Sequence, residues 1–237
     1  MGVEGNYGNF YNVKSFHSFV PVMEEQETKQ RILIGAMELF MRYGIRSVSM
    51  DDVARHLSVS KKTLYQYFAD KDEIVTMVAA HRMEEDQRQY DGLHQSSRNA
   101  IEELVKISTC LKKDFQKMNP SLLFDLKKFH SKAWSVWLSH KQKYIRESII
   151  RNLAQGIEEG FFRPDINKDI MAIIRLELIQ LTFDDQIFPV EKYNLAEVNI
   201  QLFEHFVYGI LTGKGRKVYE KYKQQQLTNP EVISQAI

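Results

Sequence analysis

The chain has 237 residues and carries 32 Lys and Arg against 31 Asp and Glu, so its formal net charge is +1. A near-neutral chain does not bind nucleic acid through its overall charge, and any such site must be a local basic patch. The hydrophobic content of 43% is that of an ordinary globular protein with a sizeable core. The single cysteine, Cys110, excludes an internal disulfide and a cysteine-based zinc finger, and we expect it to be a reduced, packed thiol.

The sequence pattern predicts helices and no membrane segment. Only 5 Pro and 11 Gly interrupt the chain, and regular alternation of β-branched residues is hard to find. No apolar run reaches the ~18 residues that a transmembrane helix needs. We therefore expect an all-α protein of the cytoplasm that does not associate with a membrane.

The first 22 residues differ in pattern from the rest of the chain. MGVEGNYGNFYNVKSFHSFVPV contains glycines and aromatic residues without helical periodicity, and it lacks both the basic start and the apolar stretch of a signal peptide. Met23 and the acidic EEQET after it are typical of a natural chain start. We expect residues 1–22 to be an N-terminal extension that is non-native or disordered.

Residues 23–83 are predicted to form a compact helical domain. An amphipathic stripe over Thr28–Tyr43 predicts a first helix, which Gly44 ends in a left-handed cap. Ser49 is expected to cap a short second helix, and Ser60 a third helix over Lys61–Phe68.

Very short connections separate these helices. Ser58 and Val59 form the turn between the second and third helices, and Asp70 is expected to cap a fourth helix in a capping box with Glu73. Two short capped helices joined by a three-residue turn are typical of a helix-turn-helix.

The rest of the chain is predicted to form a larger domain, residues 84–215, followed by a polar C-terminal tail, residues 216–237. Asn119–Pro120 and Gly160 break the pattern between helices. The apolar spacing predicts helices over residues 101–115, 122–129, 131–159, 168–183 and 194–211.

The third helix has one apolar side and one polar side. At about 100° per residue, Leu64 and Phe68 fall on the side that faces the first two helices. Lys62 and Gln66 lie opposite them, with Thr63 at the edge of that face. Such a face offers donors and acceptors at a spacing suited to base edges in the major groove.

The charge around this helix also favours DNA. No acidic residue occurs between Asp52 and Asp70, whereas Arg55, Lys61 and Lys62 are positive. Tyrosines flank the polar face, and their hydroxyls can reach phosphates without reading sequence. These tyrosines are Tyr65 and Tyr67. The alternative is a solvated helix whose exposed face is polar by chance. The combination of the caps, the short turn and the absence of acidic residues favours DNA binding over that alternative.

The segment TKQRILIGAMELFMRYGIRSVSMDDVARHLSVSKKTLYQYFADKDEIV resembles the DNA-binding domain of the TetR family of bacterial regulators. The family's marks are A-x-x-L-F at Ala36–Phe40, the glycine at Gly44, S-M-D-D-V-A, and V-S-K-x-T-L-Y-x-Y-F-x-x-K. The chain departs at Ser58, where the family usually has glycine, because the turn needs a left-handed residue.

The resemblance implies that Lys62, Thr63 and Gln66 read bases while the two tyrosines and Lys71 hold phosphates, with Thr28 in a similar role. The residues expected at the DNA interface are Thr28, Ser49, Ser60, Lys61, Lys62, Thr63, Tyr65, Gln66, Tyr67 and Lys71. The implied partners are a double-stranded DNA operator, a small-molecule effector, and a second copy of the chain. The implied homodimer forms through the helices 168–183 and 194–211, of which the first is apolar around much of its circumference.

The middle helices are expected to hold the effector pocket. Aromatic rings at helical spacing are also the pattern of a plain core, so both interpretations stay open. The effector is expected to be apolar or aromatic. The expected lining is Phe115, Leu122, Phe124, Phe129, Trp134 and Trp137, with His130 as a polar anchor or an exposed residue.

Other functions are less consistent with the sequence. It contains no glycine-rich phosphate loop, no H-E-x-x-H and no G-x-S-x-G, so we expect no catalytic residues, metal or cofactor. A ligand-independent DNA-organising or division-control protein on the same scaffold is the alternative function. Residues 1–22 have an alternative as a minor-groove arm, although Lys14 is their one full positive charge.

Overall fold

The structure, a computed structural model, describes residues 19–228. Within that range the chain forms eleven α-helices and one π-helical turn, with no strand, which confirms the all-α prediction. No helix in that range is long and apolar enough to cross a membrane. The helices are α1 Phe19–Tyr43, α2 Met50–His56, α3 Lys61–Tyr67, α4 Lys71–Gln95, α5 Ala100–Lys117, α6 Leu122–Phe129, α7 Ser131–His140, α8 Arg146–Glu158, α9 Lys168–Leu181, α10 Leu195–Ile210 and α11 Gly213–Thr228.

The helix α1 starts earlier than predicted. It begins at Phe19, and Thr28 lies in its middle rather than at its start. Pro21 falls in the first turn, where its missing N–H costs no helical hydrogen bond. The expected extension at residues 1–22 lies outside the described residues up to residue 18, and its last four residues are helical.

The first three helices and the start of α4 share one hydrophobic core. Gly44 ends α1 with a φ of 79°. Leu126 of α6 and Ala133 of α7 are buried in the same core, so the second half of the chain packs directly on the helix-turn-helix. The buried core residues on α1 to α4 and their connections are Ile32, Leu33, Ala36, Phe40, Ile45, Val48, Met50, Val53, Ala54, Leu64, Phe68, Ile74, Val75, Val78 and Ala79.

The helix α4 joins the two parts of the molecule. It runs without a break from Lys71 to Gln95, about 37 Å at the usual rise per residue. The domain boundary expected at residue 83/84 therefore falls inside a continuous helix. Its first turns belong to the core of the helix-turn-helix, and its later turns reach the centre of the larger part.

A second core lies between α5, α8, α10 and α11. The helices α5, α6, α9 and α10 begin and end within about two residues of their predicted bounds. The long segment 131–159 is helical but contains a π-helical turn over Lys141–Ile145 between α7 and α8. Lys141 is 2% exposed there, and its Nζ donates to Glu177 Oε1 at 3.0 Å and Gln180 Oε1 at 2.6 Å on α9.

The C-terminal segment is not a tail up to residue 228. Residues 213–228 form α11, which packs on α5 and buries Tyr219 to 1% exposure. Tyr222 Oη accepts a hydrogen bond from Asn99 Nδ2 at 3.2 Å. The expectation of a tail at 216–237 is therefore corrected for 216–228. The many Lys, Glu and Gln residues of this segment made its short apolar stripe hard to recognise in the sequence. Glycine is needed at Gly215, near the start of α11, because an added Cβ would lie 2.1 Å from the Phe161 carbonyl oxygen.

Candidate DNA interface and effector cavity

A reciprocal cap fixes the start of α2. Ser49 Oγ accepts from the Asp52 N–H at 3.2 Å, and the Asp52 carboxylate accepts from the Ser49 N–H at 2.9 Å. The Ser49 hydroxyl also donates to the Asp52 carboxylate at 2.6 Å, and this hydrogen bond, with the one from the Ser49 N–H, holds the pKa of Asp52 below its usual value. The predicted cap at Ser49 is confirmed, and its hydroxyl is occupied within the protein.

The turn before α3 adopts the left-handed conformation that the sequence requires. Ser58 has a φ of 55°, and the Val59 N–H donates to the Ala54 carbonyl at 2.9 Å. A non-glycine residue in this region costs at most about 1–2 kcal/mol. Ser60 Oγ then accepts from the Thr63 N–H at 3.0 Å and caps α3.

The predicted polar face of α3 is the exposed face. Leu64 and Phe68 are 0% and 1% exposed and pack on the core behind the helix. Lys62 and Gln66 are exposed on the opposite side, and Thr63 is half-buried between the two faces. The arrangement presents an ammonium and an amide to solvent from a rigid, short helix.

The two flanking tyrosines differ in exposure. Tyr65 is 52% exposed. Tyr67 is half-buried and packs against the core of the helix-turn-helix. Both side chains stay at the margins of the exposed face, where the sequence placed them.

The basic patch carries less free charge than its residue count indicates. Lys61 Nζ pairs with Asp51 at 2.5 Å, and Arg55 pairs with Asp52 at 3.3 Å. Lys62 forms no ion pair with any side chain in the described part of the chain. Its ammonium is therefore the charge most available to a DNA partner.

Lys71 is held within the protein. Its Nζ donates to the Ile45 carbonyl at 2.6 Å, in the loop between α1 and α2. Burial lowers the pKa of Lys71, and the carboxylates of Asp125 and Asp52 oppose that shift. Thr28, the other residue implied by the resemblance, is half-buried in the middle of α1. Contact of either residue with a phosphate stays a prediction.

A cavity of about 240 Å³ lies between the long helices of the larger part and reaches α1 and the first turns of α4. Three of the seven residues expected in the pocket line it: Phe115, Leu122 and Trp137. Its wall is mainly apolar. Leu104, Ile107, Leu111, Ile149, Ile179 and Phe206 are among the other apolar lining residues.

The other four expected pocket residues lie elsewhere. Phe124 and Phe129 are 48% and 46% exposed. Trp134 packs against the core of the helix-turn-helix. His130 Nδ1 is 2.8 Å from Asp72 Oδ1 and so joins the start of α7 to the start of α4. These positions correct the expected lining, because α6 and α7 turn these side chains towards the DNA-binding part or the solvent.

Several polar residues that the sequence analysis did not single out also line the cavity. Arg82 Nη2 lies 2.8 Å from Asp86 and 3.3 Å from Asp114. Arg175 and Asn199, on α9 and α10, are 4% and 1% exposed and also face the cavity. Sequence analysis assigns charged and amide residues to the solvent-exposed surface, so no local signal distinguishes these buried polar residues from exposed ones. Within residues 19–228 no cluster of three His, Cys, Asp or Glu side chains is arranged to hold a metal.

The Asp86 carboxyl is expected to make stability depend on pH. Burial raises the pKa of Asp86 to about 6, against the stabilising charge of Arg82. Since the folded-state pKa lies above the unfolded value of 3.8, protonation favours the folded state. The free energy of unfolding should therefore fall as pH rises from about 4 to about 6, by up to about 3 kcal/mol.

Urea unfolding of the Asp86→Asn variant at several pH values tests this. The variant should gain about 2 kcal/mol relative to the natural sequence between pH 4 and pH 7, because asparagine does not ionise. Asp165→Asn is the matched control, since that side chain is 72% exposed. Parallel curves for Asp86→Asn and the natural sequence contradict the raised pKa.

The comparisons with known proteins match this geometry. The sequence model of bacterial regulatory proteins of the tetR family matches residues 32–78, which run from α1 through α3 into α4. An uncharacterized HTH-type transcriptional regulator of Bacillus subtilis, YvaF, is 27% identical over 172 residues, covering 71% of this chain and 88% of YvaF. The HTH-type transcriptional repressor KstR2 of Mycobacterium tuberculosis is 24% identical over 139 residues, covering 57% of this chain and 70% of KstR2.

Solved structures share the fold of most of the chain. A putative transcriptional regulator from Saccharomonospora viridis, crystallised in complex with choline, superposes with a TM-score of 0.65 at 19% identity. The match covers 79% of this chain and 99% of that protein, and at this identity it shows the fold alone. The family match over residues 32–78 and the similarity over most of YvaF identify the helix-turn-helix of this chain as the DNA-binding domain of a TetR-family transcriptional regulator.

Proposed function

We propose that the protein is a homodimeric repressor that binds a palindromic operator through α3 and leaves it when a small apolar or aromatic effector fills the cavity. The observation that carries the DNA contact is the orientation of α3. Leu64 and Phe68 fix one side in the core, so Lys62 and Gln66 are presented outward. The repressor role is supported by the similarity to KstR2, which is a repressor.

The dimer is proposed to form through α9 and α10. Ile170, Ile173 and Ile174 of α9 are 53%, 53% and 40% exposed. Their spacing places them on one face of the helix, away from its buried inner side. Contiguous exposed apolar residues of this kind mark a protein interface. A two-fold interface there sets the two α3 helices of the dimer, its reading helices, on one operator, one for each half-site.

The cavity and the DNA-binding part are joined by α6. Leu122 and Leu126 of α6 line the cavity. On the same helix, the Asp125 carboxylate accepts from the Arg46 N–H at 3.3 Å, in the loop after α1. Just before α6, the Asn119 N–H donates to the Met41 carbonyl at 2.7 Å. A ligand that displaces α6 therefore moves the helix-turn-helix.

The effector acts by a population shift. Filling the cavity moves α6 and tilts α4, which changes the separation of the two reading helices and lowers operator affinity. The expected coupling is about 1–3 kcal/mol. The S. viridis protein of the same fold was crystallised with choline, so small molecules bind at least one relative of this architecture.

Selection of binding sites from random DNA duplexes with purified protein tests the proposal. Enrichment of a two-fold symmetric site with half-sites about one helical turn apart is the expected result. A genome-wide binding map then separates a regulator, with one or a few such sites, from a DNA-organising protein with dispersed sites. An enriched site without symmetry, or no enrichment, contradicts the proposal.

The Lys62→Ala variant should bind its operator about tenfold more weakly and discriminate less between operator and mutated operator. Loss of one base contact from Lys62 is the reason. Tyr67→Phe should instead weaken binding to all sequences alike, because a phosphate contact carries no sequence information. Fluorescence anisotropy with both duplexes measures the two effects.

Lys112→Ala is the control for lost positive charge, because Lys112 is exposed on α5, away from the reading helix. Its operator affinity and discrimination should be those of the natural sequence. If Lys62→Ala reduces binding to operator and mutated operator equally, the assigned role of Lys62 in base reading is wrong.

A further inference from the structure

The cavity contains one arginine without a counter-charge. Arg82 pairs with Asp86 and Asp114, as described above. Arg151 lies 3.9 Å from both Asp91 and Glu103. Arg175 is the exception among the arginines that line the cavity.

Arg175 is 4% exposed and forms no ion pair with any residue of the described chain. Its buried Nη1 has no hydrogen-bond partner. Burial lowers the pKa of Arg175 to about 10, with no carboxylate to oppose that shift. A guanidinium at this pKa is still charged at neutral pH, so a full positive charge faces the cavity.

A second polar group without a partner lies one helical turn from the ring on which Arg175 stacks. The Arg175 guanidinium stacks over the Phe203 ring at 4.9 Å from its centroid. Asn199 precedes Phe203 by one turn of α10, on the same face. Both Nδ2 and Oδ1 of Asn199 are buried without a hydrogen-bond partner, and the residue is 1% exposed.

A buried guanidinium nitrogen and a buried amide without hydrogen-bond partners are costly, and their cost falls when a ligand supplies the missing partners. The planar guanidinium matches a carboxylate in a bidentate geometry, and the amide N–H group can donate one further hydrogen bond. Trp137 adds an indole N–H without a partner on another wall of the cavity. Three donors without partners, in a wall that is mainly apolar and whose other two arginines are paired with carboxylates, describe a site for an amphipathic anion.

We propose that Arg175 and Asn199 bind the carboxylate of the effector, which is an amphipathic monocarboxylic acid whose apolar body fills the rest of the cavity. This inference rests on the proposed function, since it names the chemical class of that effector. The cavity of about 240 Å³ has the volume of roughly eight liquid water molecules. The acid therefore has on the order of eight to twelve non-hydrogen atoms.

The binding experiment compares acids with their neutral amides. The probes are hexanoate, octanoate, decanoate and 4-phenylbutanoate, each with its primary amide, titrated calorimetrically into the full chain. At least one acid should bind at least about tenfold more tightly than its amide, because the amide forms no charge-assisted pair. If no acid binds, or if acids and amides bind equally, the proposal is overturned.

The variant Arg175→Met separates a ligand anchor from a structural residue. It should remove the preference for acid over amide, yet unfold without ligand at the same temperature as the natural sequence or a higher one. A structural arginine gives the opposite result, a lower unfolding temperature in the absence of ligand. Arg163→Met is the matched control, because Arg163 is 47% exposed, and it should keep the preference.

Asn199→Leu is the second variant and leaves the guanidinium in place. It should weaken acid binding about three- to tenfold through the loss of one hydrogen bond. If Arg175→Met does not fold, retained acid affinity in Asn199→Leu together with equal binding of acid and amide to the natural sequence overturns the proposal.

Operator binding is measured in parallel without any acid. If the natural sequence binds its operator but no acid binds the protein or changes operator binding, this inference is contradicted and the proposed DNA binding is not. Failure to bind any selected DNA contradicts the proposed function, whatever the acids do.

Discussion

An Ile173→Glu variant is expected to be a monomer and to lose at least about 100-fold in operator affinity. Ile173 is 53% exposed at the centre of the apolar face of α9. In a two-fold interface the same face meets its copy, so two carboxylates would be buried near each other without partners. A monomer binds one half-site and loses the avidity of two linked sites, which is worth about 10²–10⁴.

Light scattering coupled to gel filtration measures the mass, and fluorescence anisotropy measures operator affinity on the same samples. Ile173→Val is the conservative control and should remain a dimer with near-natural affinity. Ile34→Glu is the control for added charge at an exposed isoleucine, because Ile34 is 38% exposed on α1, and it should also remain a dimer. If Ile173→Glu keeps the mass of a dimer, α9 is not the interface.

If the dimer forms through α9, this helix connects the effector with the dimer interface. Its outer face carries the exposed isoleucines, and its inner face carries Arg175 one residue after Ile174. The π-helical turn holds the same helix through Lys141 and its hydrogen bonds to Glu177 and Gln180. A ligand that binds Arg175 therefore acts on the helix through which two copies are proposed to meet. Movement of α9 and movement of α6 would together change the separation of the reading helices.

The helix-turn-helix could be predicted because its signals are local. The cap at Ser49 depends on Asp52, three residues away, and the left-handed turn depends on Ser58 alone. The inner side of α3 follows from the spacing of Leu64 and Phe68. Each of these sequence signals spans about one helical turn, so a short segment of sequence is enough to predict the element.

The cavity could not be predicted in the same way. Trp134 and Trp137 lie on one helix at a spacing that places both near one face, yet Trp134 packs on the helix-turn-helix and Trp137 lines the cavity. Which neighbour each ring meets depends on the packing of α4 against α7, which joins segments distant in sequence. Arg175 reads as a surface charge for the same reason, because its burial is a property of the assembled helices.

The Gly156→Ala variant is expected to lose about 3 kcal/mol of stability, at the upper end of the usual cost of overpacking. An added Cβ would lie 2.0 Å from Cδ2 of Phe162, which is 1% exposed. The ring has little room to move, because the Phe162 N–H donates to the Gly156 carbonyl at 2.9 Å and the Arg163 N–H donates to the Ile210 carbonyl at 2.9 Å. Urea unfolding measures the loss.

Gly92→Ala is the matched control, since nothing lies within 4 Å of its added Cβ on α4. It should stabilise the protein by about 0.5–1 kcal/mol, the difference in helix propensity. A double-mutant cycle with Phe162→Leu then tests the cause. If the clash with the ring is the reason for the loss, the double variant is more stable than the sum of the two single effects by about 1 kcal/mol or more, because the smaller side chain leaves room for the methyl group. Additive effects would show instead that Gly156 is needed for its backbone, and that the close contact between α8 and Phe162 can relax at little cost.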